Sequence, residues 1–177
     1  MSTISKKMCM VGDFGVGKTS LIRRFVDRQF SDQYLSTVGV KISRKSVELE
    51  GVKQQEKLAL QLLIWDLEGH TKFKAIAPSY LQGSSGALVV ADVSRIETIE
   101  RISEHIQLFS SINPKGWIII ALNKSDLVEE EKLAKLRELV PLEKPEQIVA
   151  IYTTSAKTGK DVDEIFYKLA YRMVESP

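Results

Sequence analysis

Short apolar runs alternate along this chain with stretches in which apolar residues recur every three or four positions. Met8-Cys9-Met10-Val11, Ala87-Leu88-Val89-Val90-Ala91, Trp117 to Leu122 and Ile148 to Tyr152 are nearly continuous apolar runs, the signature of buried strands. Leu58 to Trp65 is another, predicted to be covered on both faces; Val40 to Leu49 precedes it. The polar turn between them, around residues 50–55, is short, which predicts an antiparallel hairpin. Helical spacing marks Ser20 to Val26, then Ile99, Ile102, Ile106 and Phe109, then Leu133, Leu136 and Val140. The last helix is predicted from about Asp161, with Val162, Ile165, Phe166, Leu169, Ala170 and Met173 on one face. Residues 28–39 are a polar segment carrying Phe30, Tyr34 and Thr37, and residues 67–82 are predicted to begin as loop and turn helical around Lys72 to Tyr80. Without repeats, linkers or low-complexity stretches, the alternation predicts one α/β domain over residues 1–177. Its sheet has six mostly parallel strands, flanked by about five helices.

Composition narrows the setting. A chain of 177 residues suits a single core, and its 44% hydrophobic and 27% charged content is ordinary for a soluble protein. A net charge of +2 gives no warrant for a nucleic-acid or polybasic membrane partner. The one cysteine, Cys9, excludes an internal disulfide and suits a reducing compartment. No run of about 18 apolar residues exists, residues 1–7 hold no signal-peptide core, and residues 173–177 hold no cysteine to lipidate. The expectation is a monomeric cytosolic protein without a lipid anchor.

The sharpest local pattern follows the first strand. Gly12-Asp13-Phe14-Gly15-Val16-Gly17-Lys18-Thr19 has two glycines separated by four residues, then lysine, then a hydroxyl residue. Between a strand and a helix this is a phosphate-binding loop: successive backbone N–H groups and the positive end of the helix converge on phosphate oxygens. An ordinary glycine turn needs neither the lysine nor those flanks.

Ligands of a parallel sheet sit outside the carboxyl ends of its strands, and the remaining polar motifs fall there. Asp66-Leu67-Glu68-Gly69 follows one strand, Asn123-Lys124-Ser125-Asp126 another and Thr154-Ser155-Ala156-Lys157 the last. Each could be a cap or a turn by itself; capping alone does not account for these three and the glycine loop, four motifs on one edge. GDFGVGKT, the threonine of STVGV, WDLEG, NKSD and TSAK, in this order, resemble the Ras-like small GTPases, closest to the Rab branch, over almost the whole chain.

That resemblance implies GTP or GDP with Mg²⁺ as the bound ligand. Asp13, Phe14, Gly15, Val16, Gly17, Lys18, Thr19 and Ser20 then surround the phosphates, with Phe30 and Tyr34 flanking the nucleotide. Thr19 and Thr37 ligate Mg²⁺, and Asp66 holds a metal-bound water. Mg²⁺ wants six oxygens and keeps several waters, so few protein ligands suffice. Lys18, Thr37, Gly69 and His70 make up the catalytic set. The Asp126 carboxylate accepts from the N1–H and amine of guanine, where adenine offers a bare nitrogen. Asn123, Lys124, Ser155, Ala156 and Lys157 complete the base pocket. Loss of the γ-phosphate releases Thr37 and Gly69, giving a two-state switch. Protein effectors and regulators are expected to meet switch I, about 28–40, and switch II, about 66–82, with Ile42, Trp65 and Tyr80 at the positions of the Rab aromatic triad.

Departures from the family pattern point to slow turnover. His70 stands where Ras and Rab proteins carry glutamine, although translational GTPases use histidine in that place. Phe14 replaces a small residue at the loop rim, and Glu68 brings a carboxylate towards phosphate. Three readings follow: a cycling GTPase that hydrolyses slowly, a pseudo-GTPase binding module with negligible hydrolysis, or a P-loop nucleotide kinase. NKSD argues against the kinase.

Overall fold

A computed structural model of the chain describes residues 3–31, 40–52, 55–67, 78–142 and 144–175. Its strands are β1 (Thr3–Gly12), β2 (Val40–Val52), β3 (Gln55–Leu67), β4 (Gly86–Asp92), β5 (Trp117–Asn123) and β6 (Ile148–Thr153). The helices are α1 (Lys18–Asp27), α2 (Ile96–Glu100), α3 (Ile102–Ile112), α4 (Glu130–Glu138) and α5 (Val162–Glu175). The strands form one sheet in the order β2-β3-β1-β4-β5-β6. Only the β2–β3 pair is antiparallel, with Ile42 opposite Trp65 and Val52 opposite Gln55. The predicted α/β class, six-stranded sheet and hairpin are therefore present.

Alternation along the strands divides the core into two layers. Met8, Met10, Leu88, Val90, Ile119 and Ala121 point to the side covered by α1 and α5. Cys9, Val11, Ala87, Val89, Ile118 and Ile120 point to the opposite side, where α2 and α3 pack. On the first side Phe25 of α1 stacks on Phe166 of α5, ring centroids 4.2 Å apart. Each fully buried ring is worth about 3–5 kcal/mol against alanine, so this stack ties the helix after the phosphate loop to the last helix.

Two expectations are corrected. Leu58 to Trp65 is not covered on both faces. Leu58, Leu60, Leu62 and Ile64 are buried, whereas Ala59, Gln61, Leu63 and Trp65 are half-buried. α3 lies over β4 and β1, so the helix layer on that side leaves the hairpin partly open. The helix expected around Lys72 to Tyr80 is represented among the described residues by a single 3₁₀ turn, Pro78–Tyr80, the remainder of that stretch lying outside them.

Strand order places the site. β1 has β3 and β2 on one side and β4, β5 and β6 on the other. The order in which strands are added to the sheet therefore reverses at β1, and a crevice forms beyond its carboxyl end. The glycine loop leaves β1 at that point.

Candidate functional site

The loop between β1 and α1 is shaped by what glycine permits. Gly12 has φ 149°, and a Cβ there would lie 2.3 Å from the Val90 carbonyl oxygen. Gly17 has φ 104°, and a Cβ there would lie 2.3 Å from Asn123 Nδ2. No side chain fits at either. The backbone consequently curls round Lys18, which is 5% exposed. Lys18 Nζ donates to the carbonyls of Gly12 at 3.0 Å and Asp13 at 2.9 Å. Burial pulls its pKa down to about 8, against the opposing pull of the Asp66 and Asp13 carboxylates. One residue on, the Thr19 hydroxyl donates to Asp66 Oδ2 at 2.6 Å. Asp66, near the end of β3, is 1% exposed. Ser20 lies half-buried in the first turn of α1.

The loops after β5 and β6 are joined to this cradle by hydrogen bonds. Asn123 Nδ2 donates to the Val16 carbonyl at 3.0 Å, while its Oδ1 accepts from the Thr154 hydroxyl at 3.1 Å. Lys124, in left-handed conformation at φ 65°, donates to the Gly15 carbonyl at 2.9 Å. Ser155 is buried, and its hydroxyl donates to Asp126 Oδ1 at 2.8 Å. That bond fixes an otherwise exposed carboxylate at the rim. Ala156 is buried beside it, and the Lys157 carbonyl accepts from Arg24 of α1 at 3.4 Å. Phe30, beyond the end of α1, is 36% exposed.

The structure thus brings together Gly15 to Thr19, Asp66, Asn123, Lys124, Asp126 and Ser155. Phe14 also lies on the rim, 42% exposed. Tyr34, Thr37, Gly69 and His70, together with Glu68, lie outside the described residues.

Asp92, Arg95, Arg101 and His105 escaped the sequence reading as site residues. Asp92, at the end of β4 and 1% exposed, pairs with Lys124 Nζ at 2.9 Å and Arg95 Nε at 3.2 Å. Arg95 Nη2 in turn donates to the Phe14 carbonyl at 2.8 Å. Burial alone would raise the Asp92 carboxyl; hydrogen bonds from Ser94 and Lys124 outweigh it and hold it below the ordinary carboxylate value. Asp13, 3% exposed, has its side chain turned away from the mouth of the loop, paired with Arg101 and, at 2.9 Å, with His105 Nε2. Burial works against that carboxyl too, and His105 and Arg101 hold its pKa down. Asp92 carried one signal, its place at the carboxyl end of an apolar strand. His105 reads from spacing as a core residue of α3, and nothing local points it at Asp13.

A glycine cradle at the switch point of a mostly parallel sheet, wired to polar loops at the ends of β5 and β6, defines an α/β domain of the P-loop small GTPase class. Residues 7–175 match the model of the Ras family, and the chain belongs to that family. It is 32% identical over 172 residues to the GTP-binding protein ypt5 of Schizosaccharomyces pombe (strain 972), covering 97% of this chain and 79% of that one. It is 34% identical over 165 residues to the Ras-related protein Rab-1C of Dictyostelium discoideum, covering 93% and 78%. With the human Ras-related protein Rab-22A it shares 31% over 169 residues, covering 94% and 82%. These relatives put its similarity in the Rab branch.

Proposed function

We infer that this chain is a guanine-nucleotide switch that binds GTP and GDP with Mg²⁺ and hydrolyses GTP slowly. The observation that carries the reading is the pairing of two ends of one crevice: a lysine-centred anion cradle at Lys18 and a carboxylate at Asp126, set by Ser155. The backbone N–H groups of residues 15–19 suit the phosphates. Asp126 suits the N1–H and amine of guanine, because an acceptor-only group meets two donors there and one lone pair on adenine. Lys18, which donates to two carbonyls among the described residues, gains partners when a polyphosphate enters. Thr19 and Asp66 offer hard oxygen donors 2.6 Å apart, a set that fits Mg²⁺ and its retained waters. When bound, Mg²⁺ neutralises phosphate charge. Thr37 and Gly69 complete the contacts to the γ-phosphate, and their release on hydrolysis is the switch.

His70 is assigned to the attacking water. The Phe14 side chain at the rim crowds that position, and its carbonyl is pinned by Arg95. The same residue favours a second reading, a pseudo-GTPase module that retains nucleotide without turnover. Effectors and regulators would dock on the switches and the hairpin, where Ile42 and Tyr80 are 47% and 41% exposed and Lys7 Nζ lies 3.7 Å from the centre of the Trp65 ring. No nucleic-acid role is proposed. Among the described residues no helix is long and apolar enough to cross a membrane, and we place the protein in the cytosol as a monomeric single domain.

The test is nucleotide content after purification, followed by single-turnover phosphate release. Slow release that quickens in the Phe14→Gly/His70→Gln variant supports the switch. An unchanged rate refutes the roles given to those residues, GTP persisting for hours without release selects the module, and tighter binding of ATP than GTP refutes the reading.

A further inference from the structure

A carboxylate inside an anion-binding loop is electrostatically misplaced. Asp13 is the second residue of the glycine cradle, and its own carbonyl accepts from Lys18. A free negative charge there would oppose each phosphate entering the loop. The structure answers with α3. Arg101, at the start of that helix, donates through its guanidinium to Asp13 Oδ2, and His105 Nε2 lies 2.9 Å from Oδ1. Both carboxylate oxygens are engaged, the Asp13 side chain is 3% exposed and that of His105 7%. The Arg101 side chain is 39% exposed, so the pair opens to solvent only on its outer side.

We propose that Arg101 and His105 are positioning residues for the polyphosphate: by holding Asp13 outward with both carboxylate oxygens engaged, they keep its charge out of the phosphate cradle. This rests on the nucleotide reading above, and it assigns to α3 a part in ligand retention. A carboxylate that loses Arg101 has two courses. It stays buried beside Lys18 with its Oδ2 left without a cation, or it turns into the mouth of the loop and competes with phosphate for the same donors. Either one weakens binding in proportion to the charge of the ligand. A role confined to fold stability would weaken GMP, GDP and GTP alike.

The experiment is calorimetric titration of the nucleotide-free chain, in Mg²⁺ buffer, with GMP, GDP and GTP. Wild-type binding of these ligands is measured first, and its absence refutes the nucleotide reading itself along with this proposal. In Arg101→Met the expected loss is about twofold for GMP, rising to roughly tenfold for GTP. Adding Asp13→Asn to that variant restores GTP affinity to within about threefold of wild type. Asp13→Asn alone, which keeps Arg101 and His105 and removes the buried carboxylate, tightens GTP more than GMP. A loss equal across the three ligands, no restoration in the double variant, or a uniform effect of Asp13→Asn overturns the assignment.

Discussion

Asp92 is where the phosphate and base ends of the crevice meet, and replacing it with asparagine is the most informative single change. Asp92 Oδ1 accepts from the Ser94 N–H at 2.9 Å and the Ser94 hydroxyl at 2.6 Å. Its Oδ2 takes Lys124 at 2.9 Å and Arg95 at 3.2 Å. Asparagine keeps the shape but has one acceptor oxygen. If that oxygen stays with Ser94, the amide nitrogen faces two cations. Breaking a buried ion pair costs about 3–5 kcal/mol. The Arg95 and Lys124 side chains are 37% and 36% exposed, and solvent screening brings the figure down to about 2–3 kcal/mol. Against a total stability of about 5–15 kcal/mol the variant still folds. Lys124 and Arg95 hold the Gly15 and Phe14 carbonyls outward, so weakening both anchors releases two hydrogen bonds of about 0.5–1.5 kcal/mol each. GDP dissociation then quickens by roughly tenfold to a hundredfold.

The assays are urea unfolding and release of a fluorescent GDP analogue. The pH dependence supplies the sign. The folded Asp92 carboxyl is held below its unfolded value. Its stabilisation is therefore fully present above the unfolded carboxylate pKa of about 4 and is lost as pH falls through the lower folded value. Wild type and Asp92→Asn should differ at pH 7 and converge in acid. A gap under about 1 kcal/mol at pH 7, or one that stays constant down to pH 3, refutes the reasoning.

Three further outcomes are expected. Phe166→Ala removes the ring stacked on Phe25 and lowers stability by about 3–5 kcal/mol in urea unfolding; a loss near 1 kcal/mol would mean the two helices collapse into the space. Gly12→Ala drives a Cβ towards the Val90 carbonyl, and a loss of at least about 3 kcal/mol, with nucleotide binding abolished in calorimetry, is expected from forcing β1 and β4 apart; wild-type behaviour would show the strands can yield. Asp126→Ala removes the acceptor-only group, so the preference for GTP over ATP in competition binding should fall by about 10²-fold or more; an undiminished preference places guanine recognition elsewhere.

The parts legible in the sequence share one property: their determinants lie close together in the chain. The alternation of apolar runs predicts six strands because each run is self-contained, and the glycine loop is recognisable because strand, turn, lysine and helix are contiguous. The hairpin was readable for the same reason. Coverage of β3 was not, because periodicity reports the apolar residues but not what lies over them. Leu63 and Trp65 look like core residues, yet they are half-buried, the helices over that face packing against β4 and β1.

The same limit explains the missed site residues. Asp13 is separated from Arg101 by 88 positions and from His105 by 92. A local reading places Asp13 with the phosphate loop and His105 on an apolar helical face as a structural residue, and nothing in either placement points to the other. What the fold adds is the accident of proximity at the sheet's switch point, where β1, β4 and β5 all end. There Asp13 gathers Arg101 and His105 from a distant helix, and Asp92 gathers its neighbours Ser94 and Arg95 together with the distant Lys124. Charge provides the constraint that a motif search lacks: an acid 3% exposed beside a phosphate cradle must have a cationic or hydrogen-bonding partner. The presence of Asp13 within the loop thus demands a distant base on the neighbouring layer, and helix α3 supplies it.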